Sequence, residues 1–390
     1  MKKSSRRLDG LPRYLFADLE NVRDEAKRAG REILDLSIGD PDMPTPGPII
    51  DALARAAADP ANHRYPTGRG MSTLRERAAR WFNERFGVKL DPEREVLCLL
   101  GSKEGLAHLP LAVCDPGDVV LVPDPGYPVY GSAAMLAGAN PVRVPLKEED
   151  AFLMDVEAAS DEVRRGLRLC YLNYPNNPTG AGASLEYYQR AVEVAAERGF
   201  VICSDAAYSE ITYGRMRSPS VLQAEGGMET AVEFHSFSKT YNMTGWRIAF
   251  AVGDPVTLSC LEKVKSNIDS GAFQAVQEAA VSAFDLPPED LEKRREVYEK
   301  RKDTVVTALE SMGCRVFPPA GAVYVWAAVP EGYDSTGFAA ALLERTAVSV
   351  SPGAGFGPSG EGYFRISLTA PEEHIERAMG RIGEQGFWTR

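Results

Sequence analysis

The chain has 390 residues, 44% of them hydrophobic and 25% charged, an ordinary globular composition with apolar material for a large core and two domains. Its formal net charge is -11 and no basic run is longer than the three residues of Lys293-Arg294-Arg295 and Lys300-Arg301-Lys302, which argues against nucleic acid or an anionic membrane surface as partner. No apolar run reaches membrane-spanning length and residues 1–10 lack an apolar segment, so a soluble, unexported, cytoplasmic protein is expected.

The six cysteines, Cys98, Cys114, Cys170, Cys203, Cys260 and Cys314, are scattered without a C-x-x-C pair and read as reduced core residues. The four histidines, His63, His108, His235 and His374, lack metal-ligand spacing, so no metal site is expected.

Residues 1–45 read as an N-terminal arm and part of a small domain. A helical stretch at 14–29 and an apolar run at 33–38 lead into Gly39-Asp40-Pro41-Asp42-Met43-Pro44-Thr45-Pro46, whose prolines exclude helix and impose an extended loop. Helical patterns follow at 49–58 and 72–86, joined through Tyr65-Pro66-Thr67-Gly68-Arg69-Gly70; Ser72 is a candidate N-cap and Gly87 a stop.

From about residue 94, short apolar runs at 96–100, 119–122, 142–146, 169–172, 201–204, 232–237 and 248–252 alternate with helical patterns at 106–113, 129–137 and 185–198. Strands that are apolar throughout, with helices between them, predict an α/β fold with a mostly parallel sheet covered on both faces. Functional side chains are then expected at strand ends. Helical patterns at 256–268 and 273–284 complete a large domain, 46–287, ending at Leu286-Pro287-Pro288. Residues 288–390 read as a smaller α+β domain, with helices near 289–312, 338–345 and 371–383 and strands near 315–317, 323–329, 347–351 and 363–368.

Chemistry gathers where these runs end. Lys239 lies in a hydroxyl-rich turn with Ser236, Ser238 and Thr240, and Arg247 follows shortly after. An amine is a useful nucleophile only when held near neutrality, which a partly buried strand end allows. Hydroxyls and a cationic fork suit a phosphate dianion. An amine for an aldehyde beside an anchor for a phosphate is what pyridoxal phosphate (PLP) requires, the plainer reading being a solvated lysine and a surface arginine.

Asp205 ends the run 201–204, where burial raises a carboxyl pKa unless a cation such as a protonated pyridine nitrogen meets it; a turn-capping aspartate is the alternative. Tyr208 offers a phenol to the oxygen of such a ring. In Asn173-Tyr174-Pro175-Asn176-Asn177-Pro178-Thr179-Gly180 the prolines leave Asn177 a rigidly placed amide, although a tight turn has the same composition. Gly101-Ser102-Lys103-Glu104-Gly105 opens a helix after a strand and presents free N–H groups to a phosphate, N-capping by Ser102 being the compatible alternative.

Tyr127, within Asp124-Pro125-Gly126-Tyr127-Pro128-Val129-Tyr130, supplies a ring for a flat cofactor or for the core. Arg365, inside an apolar strand, needs a carboxylate from a substrate or from an internal acid. The glycines of 353–357 are no dinucleotide fingerprint, since Pro358 stands where that motif needs glycine.

Together Asn177-Pro178-Thr179-Gly180, Asp205-x-x-Tyr208, Ser236-x-Ser238-Lys239 and Arg247, in that order, resemble the class I and II aminotransferases of PLP fold type I. The resemblance runs from about Arg13 to the last helix. It implies a large domain with a mostly parallel central sheet flanked by helices, plus a smaller α+β domain. It also implies that Lys239 binds the PLP aldehyde covalently and, once freed by substrate, carries a proton between the substrate α-carbon and the cofactor. Asp205 would pair with the pyridine nitrogen, Tyr208 and Asn177 would hold the ring oxygen, and Tyr127 would stack on the ring. Ser102, Lys103, Ser236, Ser238 and Arg247 would surround the phosphate. Arg365 would clamp the α-carboxylate, assisted by Asn177 and the backbone of Gly39. Tyr65 would reach the phosphate of a neighbouring subunit, which implies a homodimer with active sites at its interface.

Within the family, the stretches 101–108 and 265–274, with Tyr14-Leu15-Phe16 and Ile38-Gly39-Asp40-Pro41-Asp42, look like the shorter bacterial LL-diaminopimelate aminotransferases of lysine biosynthesis. By that analogy glutamate is the donor, and Tyr14 and Asn267 line the substrate pocket. The competing expectations are an aspartate- or alanine-type aminotransferase, a PLP-dependent C–S β-lyase, and an aminotransferase-like ligand sensor. The acidic balance, and the room for only about forty residues before Gly39, disfavour the last.

Overall fold

In the computed structural model, which describes residues 5–11, 30, 32–157 and 161–388, the apolar runs become strands whose side chains alternate between two cores. The helix expected at 14–29, and Tyr14 with it, lies outside the described residues. Regular strand structure begins with β1 (Leu34–Asp35). It continues through β2 (Val96–Leu99), β3 (Val119–Asp124), β4 (Asn140–Pro145), β5 (Leu167–Leu172), β6 (Val201–Asp205), β7 (Ala231–Ser236) and β8 (Ala249–Gly253).

The strands after β1 form one seven-stranded sheet in the order β2-β8-β7-β6-β5-β3-β4. Its pairs from β4 to β7 are parallel, whereas β8 runs antiparallel to both β7 and β2, so the expected mostly parallel sheet is present. Both faces are covered because successive residues serve opposite sides. Leu97 and Leu99 pack with Leu106, Leu109, Leu258 and Leu261, from the Ser102–Val113 and Pro255–Ser266 helices. Val96 and Cys98 face the other way, into the core holding Phe82, Tyr188 and Val192 from the Ser72–Phe86 and Leu185–Arg198 helices. Each such side chain contributes roughly 1.5–3 kcal/mol on burial.

The Ser72–Phe86 helix has the expected span, buries Leu74, Ala78, Phe82 and Phe86 at helical spacing, and stops at Gly87 with φ 73. Ser72 does not cap it. Met71 occupies the N-cap position without a side-chain cap, and its N–H donates to Gln277 Oε1 at 2.8 Å. Short helices at Asp161–Gly166, Gly227–Thr230 and Phe237–Thr240 carry too few residues for a 3.6-residue period to show.

The later strands are β9 (Val316–Phe317), β10 (Tyr324–Ala328), β11 (Val348–Ser349), β12 (Ser351–Pro352) and β13 (Tyr363–Ser367). An antiparallel sheet runs β12-β13-β10-β9, while β1 pairs in parallel with β11. The single strand expected at 347–351 is therefore divided, because its halves answer to different partners. This region has a core of its own, built on Tyr298, Leu309, Phe338, Ile366 and Ile375, into which Tyr208 and Ile211 reach from the loop after β6. Arg301, buried on the Pro288–Ser311 helix, forks onto Asp42 at 2.7 and 2.9 Å and fastens the Gly39–Pro46 loop beside it.

One polar pair lies inside the large sheet, next to the turn that carries Lys239. Glu233 Oε1 and His235 Nε2 of β7 are 2.8 Å apart, and Glu233 Oε2 accepts from Ser204 Oγ and the Val221 N–H. Both residues are buried. Glu233→Ala should strip these partners at once and lower stability by about 3 kcal/mol, seen as a marked fall in the thermal unfolding midpoint; an unchanged midpoint would contradict the role given to the pair.

Candidate active site

The strand ends open onto a cavity of about 380 Å³. Its lining brings together Gly39, Ser102, Lys103, Tyr127, Asn177, Asp205, Tyr208, Ser236, Ser238, Lys239, Arg247 and Arg365, drawn from both layers of the fold. Two expected residues are elsewhere. Tyr65 is 89% exposed on the surface, and Asn267 is exposed at a helix end, where its Nδ2 donates to Lys263 O at 2.8 Å. Within one chain neither reaches the cavity.

Lys239 stands in the one-turn Phe237–Thr240 helix, whose N-cap Ser236 accepts the Ser238 N–H at 3.2 Å. Its Nζ donates to the Gly39 carbonyl, so Gly39 meets the amine as well as lining the cavity. Burial lowers the lysine pKa; the Arg365 and Arg247 charges act in the same direction, against the opposing fields of Tyr324 and Asp40. Gly39 admits no larger residue, since a Cβ there would lie 2.0 Å from the Tyr324 hydroxyl.

Asp205 ends β6 and is buried; its Oδ2 accepts from Tyr130 Oη at 2.7 Å and its Oδ1 from the Ala207 N–H at 3.3 Å. Burial raises its pKa from 3.8 to about 6 despite these donors and the field of His235. Asn173 braces the same point, donating from Nδ2 to Asp205 O at 2.7 Å while its Oδ1 accepts the Asn177 N–H at 2.8 Å. Tyr208 shares a hydrogen bond of 2.9 Å with Tyr324, and burial drives its pKa well above the usual value.

Arg365 projects from β13 and is buried between the rings of Tyr324 and Phe356, 4.1 and 4.6 Å from their centroids. Its Nη1 donates to Asn177 Oδ1 at 2.7 Å and its Nη2 to Ser37 O at 2.7 Å. The guanidinium lines the cavity, an arrangement suited to a carboxylate.

At the opposite end the Ser102–Val113 helix begins after Gly101, φ 81, which serves as N-cap in place of Ser102. A Cβ at Gly101 would come within 2.3 Å of Arg247 Nη2, so the helix start and the guanidinium are in close approach. Arg247 itself has φ 56, uncommon for a side-chain-bearing residue. Lys103 has a lowered pKa, from burial first and then from the Arg247 charge. Two cations, three serine hydroxyls and a helix N-terminus facing one space form a cradle for a phosphate. PLP therefore fits the residues present: Lys239 for its aldehyde, this cradle for its phosphate, Asp205 for its ring nitrogen and Tyr127 for its face.

Sequence reasoning overlooked Tyr130, Asn173 and Tyr324, all on the cavity wall. Tyr130 and Asn173 lay inside stretches already singled out, but nothing marks which aromatic or amide of a stretch turns inward. Tyr324 sits in an apolar strand and reads as core.

Comparison with known proteins adds to this geometry. A model of the family "Aminotransferase class I and II" matches residues 31–382. The LL-diaminopimelate aminotransferase of Aquifex aeolicus is 49% identical over 382 residues, which is 98% of this chain and 99% of that protein. Among solved structures, apo-BacF from Bacillus subtilis matches with TM-score 0.96 and 35% identity, covering 100% of this chain and 99% of that one. Aspartate aminotransferase from Thermus thermophilus with maleate matches with TM-score 0.90 and 29% identity, covering 98% and 100%.

The raised pKa of Asp205 gives a test in the cofactor-free protein. The folded chain keeps this proton to about pH 6, whereas the unfolded chain releases it near the ordinary 3.8. The folded state thus binds more protons in that window, and stability falls as pH rises through it. Asp205→Asn keeps an acceptor for Tyr130 and cannot ionise. It should exceed wild type by about 3 kcal/mol near pH 8 and by little near pH 4, measured by denaturant unfolding; an advantage independent of pH would contradict the assignment.

Proposed function

Because the chain belongs to the class I and II aminotransferases, a PLP-dependent family of fold type I, we propose that it makes LL-diaminopimelate from tetrahydrodipicolinate with glutamate as amino donor. The observation that carries this reading is that Lys239, Asp205 and the fork of Arg365 share one cavity, with the phosphate cradle at its other end. The name borne by the Aquifex aeolicus relative supports the choice of substrate.

When bound, PLP supplies an electron sink for the electrons of the substrate Cα–H bond. In this reading the chain's own groups do the rest. Arg365 takes the α-carboxylate on both arms, and Asn177, already bonded to it, fixes its plane. That clamp presents the α-hydrogen to Lys239, whose amine is kept available as a base by burial. Asp205 holds a proton on the ring nitrogen, and Tyr208, tied to Tyr324, donates to the ring oxygen.

We assign Tyr65 to the neighbouring copy's phosphate cradle. Tyr65, Ile268 and Phe273 are exposed, and Gly271 between them abuts Thr67, so one apolar face suits a second copy in a homodimer with shared active sites. Asn267, on the same face, would line the partner's substrate pocket. We divide the chain into an arm (1–45), a large PLP-binding domain (46–287) and a small domain (288–390), matching the separate core behind β13. The reduced cysteines and acidic balance support a cytoplasmic location; among the described residues no helix is long and apolar enough to cross a membrane.

Purified protein given LL-diaminopimelate and 2-oxoglutarate should release glutamate, with kcat/KM at least about tenfold above that for aspartate or alanine as donor. Lys239→Ala should lower kcat by about 10³-fold or more. Arg365→Lys, which keeps the charge and loses the fork, should raise KM for every donor by about tenfold or more. No glutamate from any donor, or pyruvate release from cystathionine in its place, would overturn the proposal.

A further inference from the structure

The stretches 101–108 and 265–274 meet inside the protein. Lys265, on the last turn of the Pro255–Ser266 helix, is 1% exposed. Its Nζ donates to Glu104 Oε2 at 3.3 Å and to Asp269 Oδ1 and Oδ2 at 2.9 and 3.1 Å. Glu104 occupies the first turn of the Ser102–Val113 helix; its Oε2 also accepts the Leu100 N–H at 3.0 Å, and its Oε1 lies 2.7 Å from His108 Nδ1. Glu104, His108 and Asp269 come close enough together to ligate a metal. The cation among them, however, is the Lys265 ammonium.

A lysine buried this far is destabilising unless its charge and its protons are met, and two carboxylates meet them here. The position of Glu104 ties that arrangement to the cavity. By accepting the Leu100 N–H it fixes the backbone leading into Gly101, from which Ser102 and Lys103 turn toward the phosphate cradle. An uncompensated carboxylate next to Lys103 would also repel an anion bound there. The Lys265 ammonium both pins Glu104 and offsets its charge.

Resting on the reading of a phosphate-bearing cofactor above, we propose that Lys265 is a positioning residue that, by anchoring and neutralising Glu104, sets the affinity of the site for the phosphate end of that cofactor. Asp269 completes the pairing and holds its own loop by accepting the Gly271 N–H at 2.8 Å.

The test compares PLP with pyridoxal, which has the same ring and aldehyde without the phosphate, each titrated into the full-length cofactor-free protein. Lys265→Met keeps much of the length and removes the charge. Its Kd for PLP should rise about tenfold and its Kd for pyridoxal less than about twofold. Adding Glu104→Gln removes the repelling charge and should bring the PLP Kd back to within about threefold of wild type. Equal weakening of both ligands, no weakening of either, or a double variant no tighter than Lys265→Met would overturn the proposal. Should Lys265→Met fail to fold, Lys265→Gln carries the test, since it keeps a donor for Glu104 and removes the charge, with PLP weakened by about threefold or more and pyridoxal unaffected; any other pattern rejects it. A wild-type protein that binds neither compound overturns the cofactor reading itself, an outcome distinct from all of these.

Discussion

A carboxylate sealed at the tip of β6 is the constraint that the site is built around. Little water reaches Asp205, which is 5% exposed, so its surroundings hold it: a phenol on one oxygen, a backbone N–H on the other, and a neighbouring amide under its own carbonyl. The phenol is fixed in its turn, since the Tyr130 ring stacks on Tyr171 with centroids 4.7 Å apart. The amide belongs to Asn173, whose other end sets the Asn177 backbone, and the Asn177 side chain receives Arg365. One run of hydrogen bonds thus passes from the centre of the large sheet to the guanidinium carried by the smaller one.

That run has company. Tyr208 leaves the loop after β6 to bond Tyr324 of β10, and Arg365 donates to the Ser37 carbonyl just past β1. Three segments distant in sequence therefore reach the same cavity through contacts that each need the other two in place. Polar groups buried in this way are stabilising only when mutually satisfied, which couples the integrity of the site to that of both cores.

The architecture was legible where periodicity is strong. The helix at Ser72–Phe86 follows from apolar residues at 3.6-residue spacing and the strands of the large sheet from short runs apolar throughout, and the strand ends carry the chemistry that such a sheet confines there. What escaped was whatever depends on a partner rather than on a period. The run near 350 splits because Ser349 and Ser351 pair with different strands, and nothing local announces that. Tyr324 carries a phenol in a strand otherwise fit for the core. Lys265, Glu104 and Asp269 lie in two stretches that carried only a family likeness, and nothing local in either announces that burial of the first is met by both of the others. Tyr65 and Asn267 are exposed on the surface of the chain, away from the cavity.

The hydrogen atom that stands for a side chain at Gly39 has a consequence for how such a cavity can diverge. With no room for even a methyl group beneath the Tyr324 hydroxyl, Gly39 meets the amine with main chain alone, and any side chain there would have to displace the Tyr324 ring. A larger residue at Gly39 is therefore open only to a chain that has also given up the Tyr324 ring, and with it the hydrogen bond to Tyr208. Change on this side of the pocket has to come in pairs.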